Sequence, residues 1–136
     1  MPMRSFVIML CLFASNFIYS QQQWILHLVD PTTKIMLKLD LYNESIIVPE
    51  MEMFGPMNGY LGGKIYGKWI ITSFKIQEKE VILRFSNDLG SETQETRLTQ
   101  TSDTTYTLKL LGNTVIKKVE GRKLVKIAPT LNMIKK

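Results

Sequence analysis

From Lys34 to Tyr42 apolar and polar positions alternate. Ile35, Leu37, Leu39 and Leu41 fall on one face, and Lys34, Lys38 and Asp40 fall on the other. Successive side chains of a strand point to opposite faces, so a period of two predicts a half-buried strand. The same pattern recurs in Val81, Leu83 and Phe85 against Ile82 and Arg84, and in Tyr106, Leu108 and Leu110 against Thr105, Thr107 and Lys109. Trp24–Val29 reads as a first strand with His27 on its polar face. Lys64–Ile76 is rich in β-branched and aromatic residues and reads as one long strand bent at Gly67, since glycine inside a strand often marks a bend. Thr93–Thr107 is the most polar stretch, and its threonines suit a solvated strand pair.

The punctuation between these runs consists of turn residues. Asp30-Pro31-Thr32-Thr33 separates the first two strands. Asn58-Gly59 is the strongest tight-turn dipeptide, and Asn87-Asp88-Leu89-Gly90 closes the strand that begins near Glu80. Gly112-Asn113 predicts a hairpin between Leu108–Leu111 and Thr114–Val119, and Glu120-Gly121 joins the latter to Lys123–Ile127. Pro129 ends the last predicted strand, because proline cannot donate to a ladder. The expectation is an all-β fold of about eight antiparallel strands, a meander barrel or barrel-like sandwich, with little helix.

The first twenty residues follow a different pattern. Arg4 precedes an unbroken apolar run, Phe6–Ala14, and the segment closes on Ser20 before Gln21-Gln22-Gln23. That is the layout of a secretory signal peptide cleaved near Ser20, with Ile18 at the position where a small residue is usual. The run is shorter than the ~20 apolar residues of a membrane span. The expected domains are therefore a signal peptide, 1–20, and a single all-β domain, 21–136, with a short basic C-terminal tail, secreted or periplasmic. Cys11, the single cysteine, belongs to the signal and lacks the small preceding residue of a lipidation site. The exported domain then carries no disulfide and must rest on apolar burial and backbone ladders.

Charge refines this outline. The chain carries a formal net charge of +5. Its C-terminal end concentrates Lys117, Lys118, Arg122, Lys123, Lys126, Lys135 and Lys136 against Glu120 alone. Such an end could meet anionic glycan, lipid headgroups or an acidic protein, or be only the solvated face of a hairpin. Nucleic acid is disfavoured by the export signal and by the lack of aromatics in Lys117–Lys136.

No constellation for catalysis emerges. His27 is the single histidine, and nothing in the sequence sets Asp30 and a serine beside it as a triad. No Gly-x-Ser-x-Gly elbow occurs, Glu50-x-Glu52 is too sparse for calcium, and Gly62-Gly63-Lys64 lacks the spacing of a phosphate loop. The expectation is no enzyme, no cofactor and no metal site.

Met51–Gly63 stands apart. Met51, Met53, Phe54, Met57, Tyr60 and Leu61 lie among Pro49, Pro56 and five glycine or asparagine positions, too broken for a regular strand and too apolar for a plain solvated loop. Methionine adapts to irregular apolar partners, and Tyr60, Tyr66 and Trp69 add amphipathic surface. The segment is either a platform for a ligand or a cap over the core at one end of the sheet. Asn43-Glu44-Ser45 matches a glycosylation acceptor at a turn.

A tryptophan near the start of the exported domain (Trp24), a meander of short strands and a terminal hairpin together resemble small secreted lipocalin-like β domains. That resemblance implies an antiparallel barrel holding an apolar ligand. The lipocalin Gly-x-Trp start is absent at Trp24 and occurs instead at Gly67-Lys68-Trp69. A second resemblance is to β domains found alone or ahead of a hydrolase domain in exported bacterial proteins. The leading functional expectation is non-catalytic binding of an apolar or amphipathic small molecule by Met51, Met53, Phe54, Met57, Tyr60, Tyr66 and Trp69. The alternative is an accessory or interaction domain that binds a protein or glycan on its surface. Interior volume separates the two, because a core filled by Ile35, Leu37, Leu39, Leu83 and Phe85 leaves only the surface.

Overall fold

The computed structural model describes residues 23–136. The expected signal peptide lies outside them. Ten strands follow one another: β1 (Ile25–Val29), β2 (Ile35–Asp40), β3 (Gly59–Gly63), β4 (Trp69–Gln77), β5 (Glu80–Asn87), β6 (Thr93–Gln100), β7 (Thr105–Leu111), β8 (Lys117–Glu120), β9 (Lys123–Lys126) and β10 (Thr130–Lys135). Eight of them close an antiparallel barrel in the order β1-β10-β7-β6-β5-β4-β3-β2. The other two, β8 and β9, form a separate two-stranded arm within the β7–β10 connection. The one helical turn among the described residues is a 3₁₀ turn at Glu52–Phe54. The all-β expectation holds, in its barrel form.

Alternation builds the barrel. Ile35, Leu37 and Leu39 of β2, Leu61 of β3, Val81, Leu83 and Phe85 of β5, and Leu108 of β7 are fully or almost fully buried in one interior cluster. Each such side chain stabilises the fold by about 1.5–3 kcal/mol relative to leaving it in water. The intervening residues Lys38, Arg84, Glu95, Arg97 and Lys109 face solvent. One end is plugged by Trp24, whose ring meets Tyr106 edge-on at 6.4 Å. The other end is plugged by Ile116 and Ile127 at the base of the arm, where the Ile127 N–H donates to the Ile116 carbonyl at 3.1 Å. The interior is thus a packed core, as in small barrels generally.

Five expectations fail locally. Lys64–Ile76 is not one bent strand. Lys64–Lys68 forms the β3–β4 connection, and Gly67 takes φ +77°, a turn conformation closed to most side chains. Asn58-Gly59 is not a tight hairpin turn, and the irregular reading of Met51–Gly63 stops at Asn58, because Gly59 opens β3. Gly59 is glycine for clearance: a Cβ there would collide with the Lys38 carbonyl of the paired strand.

Gly112-Asn113 does not make a β7–β8 hairpin. Beside β7, alternation in Thr114–Val119 would send Lys117 or Lys118 inward in either register. The place is taken by β10, which supplies buried Leu131 and Met133. The residues after Pro129 are therefore not a frayed tail but the strand that closes the barrel between β7 and β1. Their alternation was short and followed a proline, which masked it.

Candidate functional site

The predicted site residues separate into two places. Met51 and Tyr60 are buried in a small cluster with Ile46 and Val48, against Met36, Met57 and Ile70. Met36, Tyr60 and Ile70 alternate with interior residues, so this cluster lies on the outer face of β2, β3 and β4 rather than over an end of the barrel. Reciprocal backbone bonds fix the segment: Ile46 N–H donates to the Met57 carbonyl at 2.9 Å, and Met57 N–H returns to Ile46 at 2.8 Å. Its entry is held by Asp40, whose carboxylate accepts the Tyr42 and Asn43 N–H groups at 3.0 Å and the Ser45 hydroxyl at 2.8 Å. Asn43 of the glycosylation motif is exposed on this turn. Burial raises the Tyr60 hydroxyl above the ordinary tyrosine pKa. Met51, Met57 and Tyr60 therefore act as a cap over the sheet. Met53 and Phe54 do not join it; on the 3₁₀ turn they stand 85% and 62% exposed.

Tyr66 and Trp69 lie elsewhere, at the end of the barrel where β3, β5 and β7 finish. They help line a cleft of about 450 Å³ bounded by the β3–β4 connection, the β5–β6 loop and the arm. Each wall has a local cause. The Tyr66 N–H donates to the Lys117 carbonyl at 2.7 Å and ties the β3–β4 connection to the arm. The β5–β6 loop is organised by Asn87, whose Oδ1 accepts the Ser91 and Glu92 N–H groups at 2.9 and 3.3 Å while its Nδ2 donates to Ser91 Oγ at 3.1 Å. The crossover into the arm is held by buried Gln94. Its Oε1 accepts the Val115 N–H at 2.8 Å, and its Nε2 donates to the Leu111 and Glu95 carbonyls at 3.1 Å each.

The cleft is amphipathic. Tyr66, Trp69, Leu89, Val115 and Leu124 supply apolar surface, and Asn87, Asp88, Ser91, Glu92 and Lys117 supply polar groups. Trp69 is almost fully buried where it borders the cleft, and among the described residues its indole N–H, like that of Trp24, has no hydrogen-bond partner. A second hollow, about 440 Å³ at the β4–β5 turn, is lined by the polar and charged residues Gln77, Glu78, Lys79, Glu80 and Thr99.

Nucleophilic chemistry has no visible starting point in this cleft. Ser91 is its one hydroxyl nucleophile of the serine type, and no histidine lines it. His27 sits on β1 instead, beside the C-terminus, where the Lys136 N–H donates to its carbonyl at 2.9 Å. Partial burial, then Lys136 and Lys38, lower the His27 pKa below the usual 6.5. Among the described residues no three potential metal ligands come together.

The loop residues Asn87–Glu92 and the arm residues Lys117 and Leu124 were not foreseen as site residues. Leu89 in an otherwise polar turn, and Leu124 between Lys123 and Lys126, were the signals available. Compared with protein families, with curated proteins and with solved structures, the chain matches none.

Proposed function

We propose that this protein is an exported, non-catalytic binding protein for an amphipathic small molecule, held in the end cleft between the β3–β4 connection, the β5–β6 loop and the arm. The observation that carries this reading is the cleft itself: about 450 Å³, with Tyr66, Leu89, Val115 and Leu124 as apolar walls beside Asn87, Ser91 and Lys117. That volume falls within the ~300–1,000 Å³ of ligand pockets, which join a mostly apolar lining to a few polar groups. The lipocalin-like resemblance supports the barrel as scaffold but differs in where the ligand sits. A lipocalin-like domain would hold its ligand inside, whereas this interior is filled by its own side chains.

Native mass spectrometry of the exported form, purified without denaturant, tests the reading. The expected result is a reproducible extra mass that leaves on denaturation and is lost from a Tyr66→Ala/Leu124→Ser double variant. A clean apo mass, or an extra mass kept by the variant, would remove the cleft as the site. A second reading, surface recognition of a protein or glycan, is favoured by Met53 and Phe54, the two most exposed large apolar side chains of the β2–β3 segment.

A further inference from the structure

The arm is an unusual use of ten residues. Lys117, Lys118, Arg122, Lys123 and Lys126 stand against Glu120, which pairs with Lys118 at 3.9 Å. Among the described residues the other four cations have no ion pair. The register sets Lys117 directly opposite Lys126, and like charges facing each other across a ladder destabilise it. Two residues along, on the same face, Val119 stands opposite Leu124 with 57% and 47% of their surface exposed. A two-stranded ladder lying outside the barrel thus keeps an apolar pair in water between uncompensated cations.

The neighbouring loops continue the pattern. Leu89 projects from the β5–β6 loop at 85% exposure, and Tyr66 from the β3–β4 connection at 61%. All of these elements belong to the end of the barrel where β3, β5 and β7 finish, so the exposed aliphatics, the tyrosine and the cations share one end of the molecule.

We propose that this end docks on an anionic membrane surface, with the arm as its contact element. A phosphate-bearing leaflet supplies what each group lacks. Headgroup charge takes up Lys117, Arg122, Lys123 and Lys126, and the headgroup–acyl boundary takes up Val119, Leu124 and Leu89, with Tyr66 at the amphipathic level where tyrosine collects. A polyanionic glycan would engage the cations but leave the aliphatics in water, and so uses half of the surface. The attachment is peripheral: among the described residues no helix is long and apolar enough to cross a membrane, and the barrel's outer faces carry Lys38, Arg84, Arg97 and Lys109. This inference does not depend on the cleft's being a ligand site.

Vesicle flotation tests it, with the exported form and two vesicle compositions, phosphatidylcholine alone and phosphatidylcholine with phosphatidylglycerol. The protein should float with the anionic vesicles and not with the neutral ones, and lose most binding as salt rises to roughly 0.5 M, where exposed charges are screened. Arg122→Gln/Lys123→Gln/Lys126→Gln should weaken vesicle binding on the order of a hundredfold. Val119→Ser should weaken vesicle binding several-fold while leaving retention on a heparin column unchanged. None of these four residues lines the cleft, so loss of flotation with the co-purifying mass retained separates the two proposals. Absence of flotation at low salt, equal binding to neutral vesicles, or full vesicle binding by Val119→Ser would overturn the membrane assignment. The last outcome, with charge still required, would hand the arm to anionic glycan.

Discussion

The segment between β2 and β3 and the loops at the far end of the barrel are both irregular and both rich in apolar side chains, yet only the first buries most of them. Ile46, Val48 and Met51 fold back onto Met36, Tyr60 and Ile70, three apolar residues that β2, β3 and β4 present outward. The arm has no such landing place. The outward positions of β5, β6 and β7 are mostly polar or charged, among them Arg84, Glu95, Arg97 and Lys109, with Ile82 and Leu111 the apolar exceptions, and Val119 and Leu124 stay about half-exposed. What an irregular apolar segment becomes is decided by the face beside it. A partly apolar outer face turns it into a second small core, and a charged one leaves it available for something outside the chain.

Removing the landing place tests this most severely. Tyr60→Ala deletes the ring at the centre of the small cluster. It should destabilise the protein by about 3 kcal/mol, as aromatic truncations in cores do, read from the denaturant midpoint. A cost under about 0.5 kcal/mol, the range of ordinary surface changes, would mean the cluster is only draped on the barrel and the contrast with the arm is lost.

The arm is held at its base by Ile116 and Ile127 and, at the crossover, by polar groups, and Gln94→Ala sharpens the difference. Three hydrogen bonds vanish at a buried site, leaving the Val115 N–H and the Leu111 carbonyl without that partner. The expected cost is about 2 kcal/mol. Amide exchange should rise most in 112–127, with the Met-rich segment little changed. Uniform loss of protection across the barrel would show that the arm and barrel open as one unit.

These anchors also mark what was legible in the sequence. Period-two alternation predicted β2, β5 and β7 because their inward residues are large and apolar, Leu, Ile, Val or Phe with Tyr106 the one tyrosine. It failed at β10, where only Leu131 and Met133 alternate after Pro129 before Ile134 turns outward and Lys135 follows, and at β3, where Gly59, Gly62 and Gly63 read as loop residues. There Gly59 and Gly63 serve close approach to the backbone at Lys38 and Lys34, a property of the neighbouring chain segment that no local pattern displays. The Met-rich segment was recognised as unusual, but its two readings could not be separated, since choosing between them needs Met36 and Ile70 on a neighbouring outer face. The cleft was half visible. Tyr66 and Trp69 stood out as aromatics, whereas Leu89 and Leu124 join them only because antiparallel strands bring β3, β5 and β7 to finish at one end.

Met53 and Phe54 offer a smaller test, because they sit on the settled segment but outside its cluster. Met53→Ser/Phe54→Ser should move stability by no more than about 0.5 kcal/mol. If the surface reading under Proposed function is right, the same variant should lose a protein or glycan partner in pull-down from the source. A loss of stability comparable to Tyr60→Ala would make these two side chains part of the cap in solution.

The smallest expected effect bears on why the arm carries its charges as it does. Lys117 and Lys126 face each other in the ladder, so Lys126→Glu replaces a repulsive pair with an attractive one. Cross-strand pairs of opposite charge contribute roughly 0.2–1 kcal/mol, and an exposed pair sits at the low end of that range. Amide protection within 117–126 should therefore rise a few-fold at low salt, and the gain should vanish at roughly 0.5 M salt, where the Debye length falls to a few Å. If protection does not rise, the two ammonium groups splay apart and the facing register carries no cost. If it rises while flotation with anionic vesicles falls, stability and docking are opposed at one residue. That opposition is what a local rule broken for function looks like: the arm holds a less stable ladder because its positive charge is directed outward, whereas the Met-rich segment, with its apolar groups turned onto the barrel, carries no such conflict.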